Sequence, residues 1–291
     1  MKPAPFEYHA PDSAKGAVDL LAELGDSAKV IAGGQSLVPV LAMRLAVFDH
    51  LIDVRRIGTL RGIEERGHAV WIGAGTTEAE IGRSELIASR LPLLSRATPL
   101  IGHFQIRSRG TIGGSLAHAD AAAEYPAVAL ALGATIEALS PRGQRTIPAA
   151  EFFTGIWTTA LEPDELLTGV TFPSATGRQG CAIEEFARRP GDFAVAGAAV
   201  AVGLDPGGRV SRTAIGLFGL GPTALRAAAA EASALGIPAS DINIAEIGRA
   251  AVADLDAVPS DLHGTAGYRK KVGAAMVTRA WEKAVKEAAN G

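Results

Sequence analysis

Ala32-Gly33-Gly34-Gln35-Ser36-Leu37 is the stretch on which the reading of this chain turns. Before it, Lys29-Val30-Ile31 predicts a short strand, and after it Ser36 to Arg44 predicts a helix despite Pro39. A second stretch has the same pattern: Thr111-Ile112-Gly113-Gly114-Ser115-Leu116-Ala117-His118-Ala119-Asp120. Each holds a Gly-Gly pair closely followed by serine, Ser36 or Ser115, and each leads toward a helix. Adjacent glycines let successive N–H groups converge on an anion and let the backbone approach a phosphate. A hydroxyl adds a donor, and a helix N-terminus adds positive potential. Two such turns facing one another suit the two anionic groups of a diphosphate. Taken singly, each reads more readily as a plain tight turn; it is the two together, with matching serines, that favour an anion site.

The other common signatures are absent. There is no GxxxxGK, and Gly73-Ala74-Gly75 opens like a dinucleotide fingerprint but has Glu78 at its third glycine position. There is no HExxH, CxxC or EF-hand loop. His118, Asp120 and Glu124 read as a solvated loop with helix-capping carboxylates, and no metal ligand set is expected. Arg107 and Arg109 read equally as phosphate partners or surface groups. A dinucleotide such as FAD, held between two loops, is the expectation that remains.

Working outward, Asp12-Ser13 caps a predicted helix to Leu24, and His50 to Val54 predicts a strand. Val70 to Gly75 predicts another strand, followed by Thr77 with Glu80 as a capping box. Ala121 to Leu132 reads as a helix, Ala134 to Leu139 and Gln144 to Ile147 as a hairpin, and Glu165 to Phe172 as a strand. Pro173 to Gly180 is the best linker candidate. Beyond it, strands are expected over Ala182–Ala187, Phe193–Leu204 and Arg209–Leu217. Helices are expected from Pro222, Asp241 and Thr265, the last amphipathic.

Composition narrows the function. The 28 Lys plus Arg against 31 Asp plus Glu leave a net charge of −3, which argues against a nucleic-acid binder. The single cysteine, Cys181, excludes an internal disulfide and a cluster held by this chain alone, which takes about four ligands. The start lacks a secretory signal, and the longest uncharged apolar run, Phe193–Leu204, falls short of the roughly 20 residues of a membrane helix. A cytoplasmic protein without a membrane span is expected.

The two glycine stretches resemble the flavin loops of the FAD-binding medium subunit of molybdenum hydroxylases, the carbon monoxide dehydrogenase and xanthine dehydrogenase family. Ile101-Gly102-His103-Phe104-Gln105-Ile106-Arg107 precedes the second loop as in that family. Ala187-Arg188-Arg189-Pro190-Gly191-Asp192-Phe193-Ala194 resembles the opening of its C-terminal domain, and Asp261 to Arg269 the start of its last helix. These segments occur in family order and span nearly the whole chain.

The resemblance implies an α+β chain with a vanillyl-alcohol-oxidase-type FAD-binding fold. Its two subdomains would be residues 1–55 and 56–176. A C-terminal α+β domain, 177–291, would hold a three-stranded antiparallel sheet with helices. Ala32, Gly33, Gly34, Gln35, Ser36 and Leu37 would bind the diphosphate from one side, and Thr111, Gly113, Gly114 and Ser115 from the other. Asp120 and Glu124 would lie by the diphosphate–ribose and adenosine region. Ile101, Leu167 and Phe193 would lie near the isoalloxazine, although each reads also as a core residue. Three departures stand out: Glu124 where relatives more often have Asp, Glu184 and Glu185 where several have a Lys, and Ala122 in place of a common proline.

The implied activity is electron transfer in an oxidoreductase. A large molybdopterin-binding subunit and a small subunit with two [2Fe–2S] clusters would be the partners, in a dimer of heterotrimers. FAD on this chain would pass electrons to an external acceptor, and no acid–base–nucleophile constellation is needed. A stand-alone FAD-dependent oxidoreductase of the same fold and a flavin-free assembly subunit are the alternatives.

Overall fold

A computed structural model describes residues 2–174 and 177–291. Residues 175 and 176, inside the expected linker and at the expected boundary between the second and third domains, lie outside the described residues.

The N-terminal region is a three-stranded parallel sheet. Strands β1 (Glu7–His9), β2 (Ala28–Ile31) and β3 (His50–Asp53) lie in the order β1-β3-β2. Helix α1 (Ala14–Leu24) connects β1 to β2, capped by Ser13 Oγ accepting from Gly16 N–H at 3.1 Å. Helix α2 (Leu37–Ala42) follows the first glycine loop. It is shorter than the expected 36–44, because Arg44 turns to φ +56°.

Strands β4 (Ile63–Arg66) and β5 (Ala69–Gly73) open the second region. Next come short helices α3 (Glu78–Arg83), α4 (Glu85–Arg90), α5 (Pro92–Ala97), α6 (Phe104–Arg107), α7 (Ile112–His118) and the longer α8 (Glu124–Leu132). The Thr77 capping box is present, with Thr77 N–H donating to Glu80 at 2.7 Å and Glu80 N–H to Thr77 Oγ1 at 3.2 Å. Strand β6 (Thr135–Ser140) pairs with β7 (Gly143–Pro148) on one side and β10 (Leu166–Pro173) on the other, in a five-stranded antiparallel sheet of order β4-β5-β10-β6-β7. Between them, α9 (Ala149–Phe152) leads into a small hairpin, β8 (Phe153–Gly155) and β9 (Thr158–Thr159), that sequence periodicity did not show.

Helix α8 starts at Glu124 rather than Ala121. The Asp120 carboxylate accepts from Ala122 N–H at 2.8 Å, which holds the intervening residues in a turn. From Glu124 to Ala131 every residue of α8 is buried, as expected of a helix apolar on all sides.

The C-terminal region is antiparallel: β11 (Gln179–Phe186), β12 (Ala196–Leu204), β13 (Val210–Phe218) and β14 (Leu225–Arg226), in that order. The fourth strand departs from the expected three. Leu225 and Arg226 pair with Leu217 and Gly216, so helix α10 (Ala228–Ala234) begins only after them. Helices α11 (Ile244–Ala253) and α12 (Ala266–Asn290, capped by Thr265) complete the fold.

Strand β12 is buried at all nine residues. One face, through Ala198, Val200 and Val202, packs with Met276, Val277, Trp281 and their neighbours in the C-terminal helices. Ala199 and Ala201, on the other face, join the core that contains α8 and the five-stranded sheet. Burial on both faces explains the uninterrupted apolar run in the sequence. At Gly216, β13 runs so close to α8 that a side chain would overlap the Ala127 carbonyl oxygen.

Candidate functional site

The two glycine loops meet. A Cβ built on Gly33 would stand 2.7 Å from the carbonyl carbon of Arg109 and 2.8 Å from the Gly110 Cα. A Cβ on Gly114 would stand 3.9 Å from the Ala32 Cβ and 2.9 Å from Thr111 Oγ1. The first loop runs from the C-terminal end of β2, and Gly34 is held at φ +74°, which favours glycine. The Gln35 side chain folds back to the Gly33 carbonyl at 3.0 Å. Among the described residues, no protein group accepts from the N–H of Gly33, Gly34, Gln35 or Ser36. Successive unpaired N–H groups about a left-handed residue make an anion-binding concavity. Leu37 starts α2, so the loop ends on a helix.

The second loop is built differently. Its N–H groups are already engaged: Ile112 to the Thr76 carbonyl (3.1 Å), Gly113 to the Ala74 carbonyl (2.9 Å), Gly114 to Thr111 Oγ1 (3.1 Å) and Ser115 to the Thr111 carbonyl (2.9 Å). Gly113 therefore does not present an anion nest. It is glycine because α7 lies against the end of β5, where a Cβ would come within 2.5 Å of Ala74 Cβ. What this loop offers is the hydroxyl of Ser115, which like that of Ser36 has no protein partner among the described residues, and the bare Cα of Gly114.

Glu78 supports the second loop from below, and its role was not legible in the sequence. Its N–H donates to the Gly110 carbonyl at 2.9 Å, and its carboxyl fills the place of a Gly110 side chain. Burial pushes this carboxyl up to about 7 against the pull of Arg107, and Glu78 Oε2 has no hydrogen-bond partner. Glu124 is also buried, and burial pushes it up to about 8, with Glu185, Glu78 and Asp120 adding to the rise. Burial raises Glu185 to about 7 as well, and its Oε2 is unpartnered. At neutral pH a substantial share of each of these three stays protonated, most of all Glu124, so they can donate hydrogen bonds as well as accept them.

Arg107 turns one end of its guanidinium back onto the chain. Its Nη1 donates to the carbonyls of Ile101 (2.8 Å) and Gly102 (2.9 Å), bracing the segment before the second loop. Arg109 keeps its side chain exposed and contributes its backbone to the contact with Gly33. The Asp120 carboxylate, besides its turn, accepts from Trp157 Nε1 at 3.3 Å. Trp157 stacks on His118 with ring centroids 6.1 Å apart, stays 66% exposed and has φ +51°. It sits at the tip of the β8–β9 hairpin and had no sequence signal.

The three residues expected beside an isoalloxazine separate. Leu167 is 5% exposed within the core, Ile101 is half-buried against the same core, and Phe193 is 67% exposed. Phe193 follows Gly191, whose missing side chain makes room for the His103 ring. Between these segments a cleft of about 530 Å³ is lined by Leu100, His103, Phe104, Arg107, Glu185 and Gly191, among others.

The family model for the FAD binding domain in molybdopterin dehydrogenase matches residues 4–175, and that for the CO dehydrogenase flavoprotein C-terminal domain matches residues 182–284. The chain belongs to the FAD-binding medium-subunit family of the molybdenum hydroxylases, and so is an oxidoreductase subunit whose cofactor is FAD. It is 45% identical to the 6-hydroxypseudooxynicotine dehydrogenase complex subunit alpha of Paenarthrobacter nicotinovorans, over 99% of this chain and 97% of that one. It is 41% identical to the carbon monoxide dehydrogenase medium chain of Hydrogenophaga pseudoflava, over 96% and 97%. The solved carbon monoxide dehydrogenase from Hydrogenophaga pseudoflava that lacks the Mo-pyranopterin moiety superposes with a TM-score of 0.96 at 43% identity, covering 99% of both chains. Among the described residues, no helix is long and apolar enough to cross a membrane.

The arrangement fits a diphosphate. Free N–H groups supply the donors, serine hydroxyls flank them, and the bare Cα of Gly114 leaves the approach open.

Proposed function

We propose that this chain is the FAD-carrying electron-transfer subunit of a heteromeric molybdenum hydroxylase. The reading rests above all on the four unpaired N–H groups of Gly33 to Ser36, facing a second loop whose bare Cα and hydroxyl leave room for a diphosphate. Bound FAD supplies the ability to exchange one or two electrons. The chain's own residues do the rest. Ala32 to Leu37 hold the diphosphate by backbone donors, and Thr111, Gly114 and Ser115 close over it. Gly113 fixes α7 against β5, so that the second loop keeps its position. Asp120 and Glu124 serve the ribose and adenosine side, while Ile101, Leu167 and Phe193 border the ring.

The partners proposed are a large molybdopterin-binding subunit and a small subunit with two [2Fe–2S] clusters, in a dimer of heterotrimers. The lone Cys181 supports this: it is buried, burial raises its thiol to about 12, and one thiol cannot hold a cluster. The organic substrate is then bound on the large subunit. Residues 1–55 and 56–176 are proposed as the two flavin-binding subdomains and 177–291 as the C-terminal domain. The flavin-free alternative is disfavoured by a cradle whose donors are intact.

The test is purification of the chain with its partners, followed by cofactor analysis subunit by subunit. The expected result is FAD on this chain and molybdenum and iron on the others, with turnover only in the assembled complex. Turnover of an organic substrate by this chain alone would establish the stand-alone oxidoreductase instead. A colourless chain in an active complex would establish the flavin-free subunit.

A further inference from the structure

The far end of the N-terminal sheet carries a cluster unrelated to the glycine loops. Strands β1 and β3 pair in parallel with Glu7 opposite His50 and His9 opposite Ile52. Alternation puts Glu7, His9 and His50 on one face. Tyr8 points to the other, where its hydroxyl donates to Asp53, itself held by Arg55 at 2.6 Å. On the first face His9 Nε2 lies 3.1 Å from His50 Nδ1, and His50 Nδ1 lies 3.6 Å from Glu7 Oε2. One donor atom from each residue falls within 4.8 Å of the other two.

These separations are those of ligands around one ion. Tetrahedral zinc with bonds of about 2.0–2.2 Å spaces its donors roughly 3.3–3.5 Å apart. The two shorter separations bracket that value. The longest lies between His9 and Glu7, and Glu7, with a side chain 76% exposed, is free to swing inward. A set of two imidazoles and one carboxylate matches zinc-type transition metals, whereas magnesium and calcium take oxygen ligands. With three protein donors, a fourth position stays open to water.

We propose that Glu7, His9 and His50 bind one divalent transition-metal ion of the zinc class, which clips the edge strand β1 to β3. Strand β1 has three residues, two of them exposed, so a cross-link spanning 41 positions strengthens a weak edge. Without metal, one imidazole N–H fills the gap between the rings; metal binding replaces that proton. His50 begins β3, whereas the first glycine loop leaves β2 beside Asp53 at the other end, about 10 Å along the strand. The clip therefore stands apart from the flavin cradle. No sequence spacing announces it, because its ligands come together only through β1–β3 pairing.

The experiment uses the full chain, untagged, FAD-loaded and freed of metal by chelation. Zinc chloride is titrated by calorimetry, bound metal is counted after desalting, and thermal unfolding is followed with and without zinc. The expected result is one zinc per chain, a higher Tm with zinc, and an absorption-edge spectrum with two nitrogen ligands. His9→Gln and His50→Gln should each weaken binding by at least about 10-fold, the lower end of what losing even a supporting group costs a metal site. FAD content should not change in either. Glu7→Gln, with the backbone and both rings intact, should weaken binding less. No retained zinc in the parent chain would overturn the proposal. So would unchanged zinc affinity in the folded His9→Gln/His50→Gln double variant.

Discussion

Gly33 rests directly on the backbone of Arg109, so close that no side chain fits between them. This contact joins two loops that are 76 positions apart and makes them one site. Yet the two loops hold their N–H groups differently. Those of Gly33 to Ser36 are free, while those of Ile112 to Ser115 are bonded within the protein. Amide hydrogen exchange separates these roles. FAD binding should slow exchange strongly at Gly33–Ser36, and leave Ile112–Ser115 slow in both the loaded and the stripped chain. New protection confined to the second loop would reverse the assignment.

The buried acids give stability a pH dependence. Burial raises Glu78 to about 7, with Arg107 opposing, and raises Glu124 to about 8, with nearby carboxyls adding. In the unfolded chain both return to about 4.5. The folded state thus holds extra protons between these values, and its stability falls as pH rises. The contribution is complete below about 4.5 and is lost as pH climbs through about 7 to 8. Asp53 works the other way. Burial raises its carboxyl, but bonds from Arg55 and Tyr8 outweigh it, so its stabilisation is lost only in strong acid. The urea midpoint of flavin-free protein should therefore decline from about pH 5 to pH 8, and Glu124→Gln should flatten the decline. A midpoint that rises over this range would contradict the burial argument.

Trp157 should report on the cofactor. The chain has three tryptophans, of which Trp71 and Trp281 are buried and Trp157 is exposed beside Asp120 and His118. If Asp120 serves the ribose side, adding FAD to the stripped chain should quench mainly Trp157. Trp157→Phe should then remove most of the fluorescence change with little effect on stability, since the ring is largely solvated. An undiminished change in Trp157→Phe would place the cofactor elsewhere.

Local chemistry was legible in the sequence and distant chemistry was not. The Thr77–Glu80 capping box and the Ser13 cap need only neighbours three residues away, and both stand as read. The apolar run ending at Leu204 gave β12, though its first three residues lie before the strand, which begins at Ala196. Strand β14 escaped because two residues before an alanine-rich helix carry no period. In the site, the two Gly-Gly pairs look alike, but Gly33 answers to Arg109 and Gly113 to Ala74. Glu78 beneath Gly110, Trp157 beside Asp120 and His9 beside His50 are long-range pairings too. Composition and spacing hold no trace of them.

The central claim is that these two loops hold the diphosphate of FAD. The most direct measurement is the FAD-to-protein ratio of Gly33→Val and Gly114→Val, each checked for native circular dichroism. Charge-assisted hydrogen bonds contribute about 1.5–3 kcal/mol each, so losing even one should weaken FAD binding at least about 10-fold. Folded, flavin-poor protein is the expected result in both variants. Folded protein with a full complement of FAD in both would contradict the claim.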